Sequence, residues 1–138
     1  MKKKFACAAI TLLLCVGLPS AFAMGSLAVV TKATQAKMGL DYTLIADRAD
    51  AEAVLVRMEI PRKGKLQNIR TVEMRIGEGR PLVSAPLRTT TEKNGAWIAS
   101  FQVSSELANH CYIDLTVPKD GGYEVYAVEV KGYVTDRK

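Results

Sequence analysis

His110 and Cys111 are where chemistry would first be sought in this 138-residue chain: they are its only histidine and, beyond residue 23, its only cysteine, and they are adjacent. A nucleophilic Cys-His pair needs imidazole and thiol within hydrogen-bond reach. Neighbours on a strand point to opposite faces, and no orienting group or oxyanion donor suggests itself nearby. Cys111 alternates with Ile113 and Leu115, so the expectation is a buried thiol beside an exposed imidazole. The alternative for His110 and Cys111 is a soft metal such as copper, with Met24, Met38, Met58 or Met74 adding a thioether. One histidine is too few for a blue-copper centre, and Met58 and Met74 fall in the apolar phase of their segments, where methionine fills gaps in a core. Asp47, Asp50 and Glu52 gather carboxylates without the spaced oxygens and glycine of a calcium loop. The expectation is therefore no catalytic residue, no cofactor and no resident metal.

Two surfaces remain as binding candidates. Residues 57–88 carry eight Lys and Arg against three Glu. Arg57, Arg62, Lys63, Lys65, Arg70 and Arg75 are read as a basic hairpin with its tip at residues 62–65, able to meet an anionic surface. Glu59 and Glu73 are the cross-strand partners that would neutralise it. Tyr112, Tyr123 and Tyr133 fall off the apolar phase of their strands, as do Ile45 and Ile98, and together would make an outer aromatic face for a protein or glycan contact.

The elements that would position these residues are strands. Residues 96–134 hold three alternating segments: Trp97, Ala99, Phe101 and Val103; then Cys111, Ile113, Leu115 and Val117; then Tyr126, Val128 and Val130. Side chains on a strand alternate faces with a period of two, so each set forms an inner wall. Upstream, Leu40, Tyr42 and Leu44 alternate with Asp41, Thr43 and Ile45, and Val54, Val56, Met58 and Ile60 alternate with Arg57 and Glu59. Residues 27–33 are a plausible first strand, and Val72, Met74 and Ile76 give another inner face. Pro61 ends a strand, and Pro81 and Pro86 confine their segment to a sheet edge, since proline cannot donate to a ladder. Asn94-Gly95 and Asp120-Gly121-Gly122 are hairpin turns, and residues 104–110 form a helical turn capped by Ser104 or Ser105. The count is seven or eight strands, an all-β, two-sheet antiparallel β-sandwich.

Phe101 and Val103, a short crossing segment, then Cys111 and Tyr112 resemble the way immunoglobulin-like domains pass between sheets and present a tyrosine near a cysteine. The resemblance is to the general architecture. No partner cysteine is present beyond residue 23, Trp97 lies later than the usual tryptophan, and Tyr112 follows its cysteine.

Lys2, Lys3 and Lys4, an apolar run over residues 5–18, and Ser20-Ala21-Phe22-Ala23 read as a cleaved signal peptide over residues 1–23, leaving residues 24–138 as a single domain. The net charge of +5 falls to about +2 without the three signal lysines, which gives no case for nucleic-acid binding. No apolar run long enough to span a membrane follows the signal. Length and composition thus point to a periplasmic or secreted, non-enzymatic binding or interaction module. It would be a monomer or weak oligomer whose partner is a protein, a glycan or an anionic envelope polymer. A copper carrier is one rival; a structural subunit that assembles through sheet edges is the other, with Pro81 and Pro86 arguing against one open edge.

Overall fold

The computed structural model describes residues 24–78 and 81–137. The signal peptide expected over residues 1–23, and Gly79 and Arg80, lie outside the described residues.

The chain is all-β. In order it forms β1 (Met24–Val30), α1 (Gln35–Met38), β2 (Thr43–Arg48), β3 (Ala53–Ile60), β4 (Thr71–Ile76), β5 (Val83–Pro86), β6 (Thr89–Thr91), β7 (Trp97–Ser104), α2 (Ser105–Ala108), β8 (Cys111–Lys119), β9 (Gly122–Glu129) and β10 (Val134–Asp136). Ten strands replace the expected seven or eight, divided into two open sheets of five. The first sheet runs β1-β9-β8-β4-β5 and the second β10-β2-β3-β7-β6. Nor is the pairing wholly antiparallel: β1 lies parallel to β9, and β10 parallel to β2. Among the described residues no helix is long and apolar enough to cross a membrane.

One cluster of buried side chains draws on both sheets, with Val54, Met58 and Ile60 from the second and Ile113, Leu115 and Val128 from the first, all at or near zero exposure. Each such side chain contributes roughly 1.5–3 kcal/mol of transfer free energy. The period-two reading holds in β2, where Leu44 and Ala46 are buried and Ile45 is 49% exposed, and in β8, where Cys111, Ile113, Leu115 and Val117 face inward.

Turns follow their chemistry. Gly95 donates its N–H to Glu92 O at 2.9 Å and Glu92 N–H returns to Ala96 O at 2.8 Å. Of the Asn94-Gly95 pair only Gly95 is left-handed, with φ 83°, so the loop is three residues rather than two. Between β7 and β8 the chain changes sheet through α2, whose N-cap Ser104 accepts the Leu107 N–H at 3.3 Å.

The segment expected to be a hairpin tip is instead a crossing. β3 belongs to the second sheet and β4 to the first. Residues 61–70 exceed a tight hairpin loop, and a 3-10 turn over Gly64–Leu66 drives Leu66 into the core at 0% exposure, with Ile69 at 3%. Two apolar residues in a charged stretch thus close the end of the core.

Candidate functional site

The sheet change between β3 and β4 disperses the basic residues. Arg57 lies on the outer face of the second sheet, 3.8 Å from Glu92. Arg62 sits 4.7 Å over the Trp97 ring, and Lys65 Nζ donates to Met38 O at 2.6 Å. Lys63 and Arg70 are exposed. Arg75 is on the outer face of the first sheet, opposite Arg57, and only 8% exposed. Its Nε and Nη2 donate to Asp114 at 2.7 and 3.1 Å, its Nη1 donates to Gly77 O at 2.8 Å, and it lies 4.6 Å over Tyr112. All three nitrogens of that guanidinium donate within the fold. Glu59 and Glu73 likewise belong to different sheets and do not neutralise one hairpin.

The tyrosines divide as well. Tyr112 and Tyr123 share the outer face of the first sheet, but Tyr112 is buried and donates its hydroxyl to Glu78 Oε1 at 3.3 Å. Tyr123 is 45% exposed, its ring laid across Gly25, the residue it pairs with, where a β-carbon would collide with it. Tyr133 sits in a 3-10 turn, Lys131–Tyr133, beside the second sheet, buried against Tyr42. Ile45 is on the outer face of the second sheet, so no single aromatic face gathers these residues.

Cys111 faces the core with no exposure, and burial pushes its thiol from 9.0 up to about 12. His110 is exposed in the turn after α2. Among the described residues no three His, Cys, Asp or Glu converge as metal ligands would. Asp50 spends Oδ1 on the N–H groups of Glu52 and Ala53 at 2.8 and 2.9 Å. Met58 is buried, and Met38 and Met74 pack against the core.

What the fold does assemble is a pocket of about 540 Å³ beside β2. β10 pairs with β2 only at Ala46, Asp47 and Arg48. Just upstream the chain turns into the 3-10 segment Lys131–Tyr133, and among the described residues no strand pairs with that edge of β2 at residues 43–45. Lys32, Gln35, Tyr42, Thr43, Tyr133 and Thr135 are among the lining residues. Gln35 is held by Nε2 donating to Tyr42 O at 2.7 Å and Leu40 O at 3.3 Å. Its Oε1 accepts the Tyr133 hydroxyl at 2.9 Å. With that proton committed, the 2.7 Å contact between the two phenols has Tyr42 donating to Tyr133. Burial raises both phenols above the ordinary tyrosine range, while the bond donated by Tyr42 acts the other way on Tyr133. Both stay neutral hydrogen-bonding groups at any physiological pH. Lys32 Nζ stands 5.8 Å over the Tyr133 ring and, among the described residues, is the one charged side chain in the lining.

Chemically the pocket offers a cation, fixed amide and hydroxyl dipoles, and backbone groups of a strand edge. Among the described residues its lining holds Lys32, Gln35, Thr43, Thr135 and the two tyrosines as polar side chains. Of the residues singled out from sequence it includes Tyr133 and Ile45. Lys32, Gln35 and Tyr42 were missed. The available signal was Tyr42, whose inward phase buries a hydroxyl that must find a partner.

Compared with models of protein families, with curated proteins and with solved structures, the chain matches none.

Proposed function

We propose that this protein is an exported, non-enzymatic binding module, periplasmic or secreted, built as an immunoglobulin-like β-sandwich, and that an extended segment of a protein partner seats in the β2 pocket. The architecture is supported by connectivity. The order β2-β3-β7-β6 in one sheet and β4-β8-β9 in the other follows the immunoglobulin plan of strand exchange between sheets, with β1, β5 and β10 added at the edges. The observation that carries the binding role is the unpaired stretch of β2 at residues 43–45 beside the Gln35–Tyr133–Tyr42 network. An incoming strand gains main-chain hydrogen bonds from a free edge and specificity from the flanking side chains. Lys32 favours a segment carrying carboxylates.

Titration of isotope-labelled protein with a panel of extended acidic peptides and, separately, anionic envelope glycans tests this. Peptides are expected to move the amide signals of Thr43, Leu44 and Ile45 with those of Lys32 and Tyr133, and Lys32→Ala is expected to weaken the effect and its salt dependence. Peptides that leave the residue 43–45 amides unmoved, or shifts centred on Lys63 and Arg70, would overturn the assignment.

A further inference from the structure

The four edges of the two sheets are not alike. β5 has four residues, ends at Pro86 and follows Pro81; β6 and β10 have three residues each, and β10 ends in Asp136. Short length, proline and charge are the devices that keep an edge from pairing with another chain. β1 has none of them. It runs seven residues, MGSLAVV, without a charged side chain or proline, and all seven pair with β9 along one side. On the other side its alternate N–H and C=O groups meet no strand among the described residues.

The apolar surface next to that edge is continuous with it. Leu27 and Val29 point outward at 60% and 51% exposure. Half-buried Val125 of β9 stands beside Leu27, and Tyr123 lies over Gly25 in the next row. This strip reaches the rim of the sheet without a charged side chain on β1.

We propose that β1 is the interface of a two-fold dimer, in which β1 of one copy pairs antiparallel with β1 of a second and joins two five-stranded sheets into one of ten. A second copy is the occupant that fits, because a strand without charged side chains or proline is complementary to itself, and a two-fold axis at Ala28 sets Leu27 of each copy against Val29 of the other. Pairing of β1 with the proline-bearing β5 edge of another copy, which would propagate as a filament, is blocked. The symmetric contact therefore closes at two. Leu27 and Val29 do not line the β2 pocket, so dimerisation and ligand binding are tested by different residues.

Sedimentation of the exported protein up to millimolar concentration is expected to show a monomer–dimer equilibrium. Leu27→Lys and Val29→Lys each bring two lysines to diagonal positions about the axis and should weaken the dimer by at least about tenfold. Their circular dichroism and unfolding should match the wild type under dilute conditions. Should either variant fail to fold, cross-linking supplies the readout. Because Cys111 is buried, a Leu27→Cys variant treated with a short bis-maleimide reports on the introduced thiol alone. It should be captured as a dimer far faster than an Ile45→Cys variant on the outer face of the other sheet. A protein that stays monomeric throughout, a dimer indifferent to both lysines, or equal cross-linking at the two positions would overturn the proposal.

Discussion

Replacing Arg75 by alanine should unfold this protein more readily and leave the β2 pocket intact. The Arg75 and Asp114 side chains are 10% and 13% exposed, joined by two hydrogen bonds of 2.7 and 3.1 Å. Removing one partner leaves a carboxylate nearly excluded from water with neither of its guanidinium donors, which costs about 3–5 kcal/mol. The link to Gly77 O and the contact with the Tyr112 ring disappear in the same step and do not add in full, because they share one guanidinium. Against a total stability of about 5–15 kcal/mol for a domain, this is a drop in Tm on the order of 15 °C. Arg75→Lys should recover little, since an ammonium cannot make the two parallel bonds. Urea unfolding of Arg75→Ala, Asp114→Ala and the double variant measures the coupling directly. The double variant is expected to cost well under the sum of the singles, because it leaves no unpaired charge. An Arg75→Ala penalty below about 1 kcal/mol, or strict additivity, would mean that water reaches the pair and that Arg75 is available to an external anion after all.

The remaining outcomes are as specific. Tyr133→Phe should cost more than Tyr42→Phe, because it strands both the Tyr42 hydroxyl and Gln35 Oε1, whereas Tyr42→Phe removes one donated bond worth about 1 kcal/mol; the reverse order in urea melts would reverse the direction of proton donation. Cys111 should label with maleimide only on unfolding. Its folded pKa is raised, so its contribution to stability is fully present below pH 9.0 and is lost as pH rises through about 12, at no more than about 1.4 kcal/mol per pH unit. Tyr126, pushed from 10.0 up to about 12 by burial and by its bond to Glu124, adds to the same alkaline slope. Cys111→Ala should flatten that slope without abolishing it, and an unchanged slope would show that the thiol is already solvated in the fold. Gly95→Ala, at φ 83°, should lower stability by roughly 1 kcal/mol.

Much of the fold was legible because a strand repeats every two residues. Val54, Val56, Met58 and Ile60 all face inward as their spacing requires. What period two cannot carry is which sheet a strand joins. β3 and β4 have the same alternation and a charged, glycine-containing connection, which reads as a hairpin. The deciding residues are Leu66 and Ile69, two apolar side chains whose burial pulls the connection over the end of the core. The additional strands were hidden for a related reason. β6 and β10 are only three residues long, too short for alternation to register, and β10 is defined by pairing with β2, far away in sequence.

The candidate site was lost to the same blindness at finer grain. Counting twos from Val130 puts Tyr133 on the outside, but the 3-10 turn Lys131–Tyr133 intervenes, and three residues per turn bring Tyr133 back toward the core side with Val130. One charged stretch groups Arg75 with Arg57, yet the change of sheet sends one to each outer face. The prolines speak for a single edge. Pro81 and Pro86 do protect an edge, as their missing amide donors imply, but protection is local to the strand that carries it. A molecule of two open sheets has four edges, and the prolines of β5 leave β1 untouched. Met24–Val30 carries no proline and no charged side chain, so its edge is one on which Pro81 and Pro86 have no bearing.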